Sequence, residues 1–175
     1  MVAYAPGTQG WGDQCAPSKS IAGGVFDELF AVNNLLAKGW AVVVTDYPGL
    51  GTPGLHLYNV GMAEGLLRFG GKRIEDYTVG HVNPIGSPEW KAVLDANNLG
   101  ATAPSAPLLQ FHGLVDEIIP LRVETSLHQR YCAAGVRTLL KEYAGGHVLT
   151  HPLAQADVVR WLGDRLGGAP APRNC

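Results

Sequence analysis

Pro107-Leu108-Leu109-Gln110-Phe111-His112-Gly113-Leu114-Val115-Asp116-Glu117-Ile118-Ile119-Pro120 reads as a short buried strand, Leu108 to His112, that runs into a glycine-containing loop and then an acid. Asp116 thereby stands just past the strand's carboxyl end, where open α/β sheets keep their chemistry. A second apolar run, Val136 to Tyr143, ends in Gly145-Gly146-His147. If the two runs pair in parallel, His147 stands at the neighbouring strand end, beside Asp116.

Outward from this pair the chain alternates. Leu121 to Ala134 has helical spacing between the two runs, and Pro152 to Leu166 follows the second as another helix. Upstream, Ser87-Pro88-Glu89 opens a helix that runs to Asn98, with a cap, a proline at the first position and an acid in the first turn. Nearer the start, Val2 to Pro6 reads as a short strand and Val25 to Lys38 as a helix stopped by Gly39. Trp40 to Asp46 is a continuous β-branched run, the mark of a strand covered on both faces, and it leads into the turn-dense loop Asp46 to Gly54. A weaker helix, interrupted by Gly61 and Gly65, spans Asn59 to Phe69, and Arg68 to Asn83 has no firm period. Alternating strands and helices predict the α/β class, a mostly parallel sheet with helices on both faces, formed by residues 1–175 as a single domain.

A chain of 175 residues with 46% hydrophobic and 16% charged positions has enough apolar material for one core. A net charge of −2 with no run of like charges gives no footprint for nucleic acid or an acidic membrane surface. No window approaches the roughly 18 apolar residues of a membrane span, so stable membrane insertion is not expected. Met1 to Pro6 lacks the basic and apolar regions of a signal peptide, and a chain that opens in mid-strand reads as trimmed. Cys15, Cys132 and Cys175 are odd in number, so at least one has no internal partner. Cys132 with Cys175 would staple the tail to the body; three buried or reduced thiols is the other reading.

Asp116 and His147 have the chemistry of an orienting pair, in which a carboxylate holds an imidazole in the tautomer that accepts a proton. Each alone is unremarkable, an acid in a turn and a histidine at a strand end; their joint placement carries the reading. His151 competes for the same role. His112, Asp116, His147 and His151 could also be read as metal ligands, but Pro152 argues against a helix through both later histidines and no general-base Glu lies between them. No metal and no cofactor are expected. The order acid, then histidine, is that of the last two members of an α/β-hydrolase triad. The first member is a serine on a G-x-S-x-G elbow, and none of Ser18, Ser20, Ser87, Ser105 and Ser126 has glycines at that spacing. Removing such a nucleophile cost about 10⁶ in kcat in one serine protease.

The chain resembles the secretory lipase family of α/β-hydrolases in several long stretches that keep the family's order. These are Val2 to Gly10 with Gly12 to Ser18, Val43 to Gly51, Tyr58 to Gly65, and His112-Gly113 followed by Asp116-Glu117-Ile118-Ile119-Pro120 and Gly146-His147. The resemblance implies a partial α/β-hydrolase fold, extracellular location, and hydrolysis of carboxylic esters of long-chain acylglycerols. It implies Asp116 as the triad acid, His147 rather than His151 as the base, Asp46 in the oxyanion hole, and Cys132 paired with Cys175. In the family, the segment after the Tyr58 to Gly65 helix holds the elbow serine and a helical lid. Here Gly65 runs within a few residues into Ile74-Glu75-Asp76-Tyr77, so an internal deletion near 65–74 is expected, with Cys15 losing its mate in the same segment. The expected function is a carboxylic ester hydrolase of the secretory triacylglycerol lipase type without its nucleophile, acting on a lipid or ester. The reading from a different class is a non-catalytic α/β-hydrolase remnant or lipid- or ester-binding module. Loss of a central strand would also leave sheet edges open to association.

Overall fold

The computed structural model describes residues 1–5, 16–22, 29–44 and 67–175. Asp46, Cys15 and most of the Asn59 to Phe69 helix lie outside the described residues. Contacts divide the chain into Met1–Val82 and Asn83–Cys175.

In Met1–Val82, β1 (Val2–Tyr4) pairs in parallel with β2 (Val42–Val44), Val2 opposite Val42. Two helices are described, α1 (Pro17–Ala22) and α2 (Leu29–Leu36). Ala31, Val32 and Leu35 are buried, the helical spacing that turns one side of α2 inward. Gly39 follows at φ 75°, a conformation that favours glycine and ends the helix. The stretch without a sequence period becomes a run of short 3₁₀ turns, Ile74–Tyr77 and Val79–His81 here and Pro84–Gly86 in the second unit. Each is held by local side-chain bonds: Arg73 N–H donates to Asp76 (2.9 Å), the Thr78 hydroxyl to Val82 O (2.6 Å), and Ile85 N–H to Asn83 (2.9 Å).

Asn83–Cys175 is a two-stranded α/β unit. Ser87 caps α3 (Pro88–Ala96) by accepting from Trp90 N–H, as the Ser-Pro-Glu opening predicts. Then come β3 (Leu108–Gly113), α4 (Leu121–Ala133), β4 (Thr138–Tyr143) and α5 (Thr150–Leu166). β3 and β4 are parallel, in register from Leu108 opposite Thr138 to Gly113 opposite Tyr143. Because side chains alternate across a strand, the contacts assign the faces. Gln110 and Thr138 point toward α4, where Gln110 meets Glu124 and His128. Phe111, Lys141 and Tyr143 point the other way, toward His151 and Asp157 of α5. This parallel pair therefore carries a helix on each face. Asp157 gathers Lys141, the Tyr143 hydroxyl and Arg160, each at 2.7 Å. Hydrogen bonds from Lys141 and Tyr143 hold the Asp157 carboxyl below its ordinary range. Burial and that same carboxylate push the Tyr143 hydroxyl up.

The structure differs from the sequence reading in three respects. Among its described residues each unit holds one two-stranded parallel pair, smaller than the sheet expected. Most of β3 is only half-buried, with full burial confined to His112 and Gly113, because within this unit no strand stands on its other side. α5 begins two residues before Pro152, since Thr150 N–H already bonds Gly146 O at 3.1 Å and a proline in the first turn forfeits no intrahelical bond.

The outer edge of β4 is covered by the tail. Leu140 N–H donates to Asn174 Oδ1 (3.0 Å), Asn174 Nδ2 donates back to Leu140 O (2.9 Å), and Asn174 N–H reaches Thr138 O (3.2 Å). One side-chain amide thus stands in for a strand residue. Cys132 and Cys175 are disulfide-bonded with their Cα atoms 5.4 Å apart, fastening that tail to α4. No helix among the described residues is long and apolar enough to cross a membrane.

Candidate active site

Two glycines let the strand ends meet. Gly113 closes β3 against the loop after β4, so tightly that a Cβ there would collide with Gly145 O and Thr150 Oγ1. Leu114 N–H bonds Tyr143 O (2.8 Å) and Val115 N–H bonds Gly145 O (3.3 Å), locking the two loops side by side. Thr150 Oγ1, buried, donates to Gly146 O at 2.8 Å and sets the second loop's course into α5.

Asp116 is delivered by this scaffold with its side chain only 4% exposed. Its Oδ1 accepts the N–H groups of Ile118 (2.9 Å) and Ile119 (2.8 Å), an Asx-type turn that fixes the rotamer. Its Oδ2 lies 2.9 Å from His147 Nδ1. Burial opposes the charge, but the bonds from Ile119, His147 and Ile118 outweigh it, and the carboxyl falls from an ordinary 3.8 to about 2. An ionised acceptor at that position assigns the proton to His147 Nδ1 and leaves the ring's lone pair on Nε2. His147 is 36% exposed, so that lone pair belongs to an imidazole at the surface of the pair.

Three neighbours complete the arrangement. His112 Nε2 donates to Ile119 O at 2.8 Å and lies 3.5 Å from Asp116 Oδ2, bracing the acid's turn from beneath. Glu117 Oε2 accepts the backbone N–H of His147 at 3.1 Å and packs where a side chain on Gly146 would have to go. Consecutive acids therefore grip one histidine, Asp116 by its ring and Glu117 by its backbone. Apolar side chains flank the pair, with Leu114, Val115, Ile118, Ile119, Val148 and Leu149 all substantially exposed.

The remaining sequence candidates fall elsewhere. His151 sits in the first turn of α5, stacked on the Phe111 ring at 6.3 Å, while His147 meets Asp116. The four-residue metal reading is accordingly not assembled. Among the described residues, His128, Cys132 and Cys175 alone are gathered closely enough to share an ion, and the two cysteines are bonded to each other. Ser87 is spent on the α3 cap, Ser126 Oγ donates to Arg122 O within α4, and buried Ser20 Oγ donates to Pro17 O. Asp46 lies outside the described residues. Glu117 and Thr150 carry no role in the sequence reading; the Asp-Glu dipeptide after a strand and the threonine three residues past Gly-Gly-His are the only traces they leave there.

Comparison with known proteins gives the family. The secretory lipase family profile matches residues 69–174. The chain is 32% identical over 92 residues to lipase A of Arthroderma benhamiae, covering 52% of this chain and 20% of that protein. It is 27% identical over 107 residues to the secreted triacylglycerol lipase LIP5 of Malassezia globosa, covering 58% of this chain and 22% of that one. It is also 28% identical over 109 residues to a Mycobacterium tuberculosis protein named probable inactive lipase MT1628, covering 61% and 24%. The chain thus spans about a fifth of the length of the curated relatives it matches. The match of residues 69–174 covers more than half of the chain and contains both Asp116 and His147, and the chain belongs to the secretory lipase family.

Proposed function

We propose that this chain carries the acid, Asp116, and the base, His147, of a carboxylic ester hydrolase of the secretory triacylglycerol lipase type on a partial α/β-hydrolase fold, and lacks the nucleophilic serine that turnover requires. The observation that carries the reading is the 2.9 Å bond between Asp116 Oδ2 and His147 Nδ1 at the carboxyl ends of two parallel strands. In such a reaction His147 Nε2 takes the proton of an attacking hydroxyl, and Asp116 stabilises the imidazolium that forms. As the tetrahedral intermediate collapses, the same proton passes to the departing alcohol. The family resemblance puts Asp46 forward for the oxyanion hole. The exposed apolar rim of Leu114, Val115, Ile118, Ile119, Val148 and Leu149 suits an acyl chain or a lipid surface. The disulfide, together with the secretory character of the family, supports an extracellular, oxidising location.

The chain has no G-x-S-x-G serine, and this favours a second reading for its own output, a non-catalytic α/β-hydrolase remnant or lipid- or ester-binding module that keeps acid, base and apolar rim without turnover. One relative carries the name probable inactive lipase, which is consistent with loss of turnover inside the family. A fluorophosphonate probe and a p-nitrophenyl ester divide the cases. We expect no adduct in the intact mass and release at the buffer rate. An adduct at Ser18, Ser20, Ser87, Ser105 or Ser126 with release abolished by His147→Ala would show a nucleophile outside the usual elbow and end the second reading. Release undiminished in His147→Ala would overturn the acid and base assignment.

A further inference from the structure

A second polar cluster occupies the α4 face of the sheet, toward the amino end of β4. Gln110 Nε2 donates to Glu124 Oε1 at 2.6 Å, which fixes Gln110 Oε1 as an acceptor. That oxygen receives the Thr138 hydroxyl at 2.6 Å and His128 Nδ1–H at 3.0 Å. The chain of donors therefore assigns the tautomer of His128, a buried residue, and leaves its Nε2 lone pair facing Cys132 Sγ at 3.6 Å. The imidazole is held as metal-binding imidazoles are held, its far nitrogen anchored and its near lone pair fixed in direction. What it faces is one sulfur of the disulfide to Cys175.

We propose that opening the Cys132–Cys175 disulfide turns this corner into a site for a soft divalent cation of the zinc class, ligated by His128 Nε2 and the two thiolates. The three ligand atoms already lie within 4.8 Å of one another. In tetrahedral coordination with Zn–N and Zn–S bonds of about 2.0 and 2.3 Å, a nitrogen and a sulfur stand roughly 3.6 Å apart. The Nε2 to Sγ separation of 3.6 Å matches that spacing without movement of α4. Only the second sulfur must withdraw, and Cys175 is exposed while Asn174 keeps its segment on β4. Two sulfurs and one imidazole nitrogen favour zinc over oxygen-seeking cations, and the exposed side leaves a fourth position for water. The chemistry balances. A dithiol gives two electrons to the S–S bond and becomes its own cyclic disulfide, two protons complete the protein thiols, and the cation then displaces both protons to solvent. The dication and two thiolates sum to zero charge, which suits a partly buried site.

Cobalt(II) tests this on the full chain under anaerobic conditions. After reduction with dithiothreitol and its removal, one equivalent of Co²⁺ should give sulfur-to-metal charge transfer and the intense visible bands of tetrahedral coordination, bleached by Zn²⁺. The oxidised chain, which keeps every histidine, should give neither. His128→Ala should weaken binding at least tenfold, and Gln110→Leu by about 10-fold through loss of the orienting bond. No bands in the reduced chain, equal bands in the oxidised one, or undiminished affinity in His128→Ala would overturn the proposal. If reduction unfolds the chain, Zn²⁺ should restore its circular dichroism and raise Tm, because a ligand of the folded state stabilises it. Failure to restore them would equally overturn it.

Discussion

Asp116 does two jobs with one carboxylate: it accepts the N–H groups of its own turn, and it holds the ring of His147. Both depend on its charge, which gives a pH signature. A carboxyl held at about 2 in the folded chain and near its ordinary 3.8 when unfolded contributes stability that is fully present above about pH 4 and is lost as pH falls toward 2. Urea midpoints measured from pH 5 to pH 2 should therefore fall more steeply for the natural chain than for Asp116→Asn, with the two curves converging at the acid end. Parallel curves would mean that the acid is not engaged in the folded state. The meeting of Asp116 and His147 was legible in the sequence because each follows a recognisable strand and a glycine loop. Glu117 and Thr150 were not legible, since what they do is bind backbone atoms of a loop that is distant in sequence, and no spacing encodes that. His128 was hidden for a similar reason: one histidine on a helix shows nothing until Gln110 and Cys132 are beside it.

Among the elements, β4 shows how an edge can be closed by very little chain. Asn174 supplies a donor and an acceptor to Leu140, and the disulfide keeps it there. In the chain-entropy description, a crosslink between residues 43 apart contributes about 4 kcal/mol. Cys175→Ser should lower stability by an amount of that order, and Asn174→Ala by about 1 kcal/mol, the net worth of ordinary hydrogen bonds. Hydrogen exchange separates the two effects. The Leu140 amide should exchange faster in Asn174→Ala, while Gln110 and His112, inside the β3–β4 ladder, keep their protection. Unchanged exchange at Leu140 would mean that the amide does not hold the edge. Periodicity located α3, β3, α4, β4 and α5 within a few residues, because each has a face to bury. It failed between Arg68 and Asn83, where three short turns are stabilised by individual side chains and no face recurs. It could not foresee the tail as a strand substitute, since a single asparagine has no period.

For the whole molecule, the unresolved balance is at the other edge of the sheet. Leu108 N–H points to Arg137 O and Leu114 N–H to Tyr143 O, so along β3 the even-numbered amides face β4 and those of Leu109 and Phe111 face away. Within Asn83–Cys175 no strand receives them, and exposed Leu114 and Val115 continue the strand past its end. A strand edge whose donors meet no partner among the described residues of its unit, with an apolar extension beside it, is a template for pairing, and natural proteins cover or charge such edges. We therefore expect reversible self-association through β3, seen as a rise in weight-average mass with concentration in sedimentation equilibrium. Amide exchange gives the test its resolution: Leu109 and Phe111 should exchange quickly in dilute solution and gain protection as the chain is concentrated, while Leu108, Gln110 and His112 stay protected throughout. A mass independent of concentration, with Leu109 and Phe111 protected at every dilution, would mean that another segment of the same chain already lies along that edge.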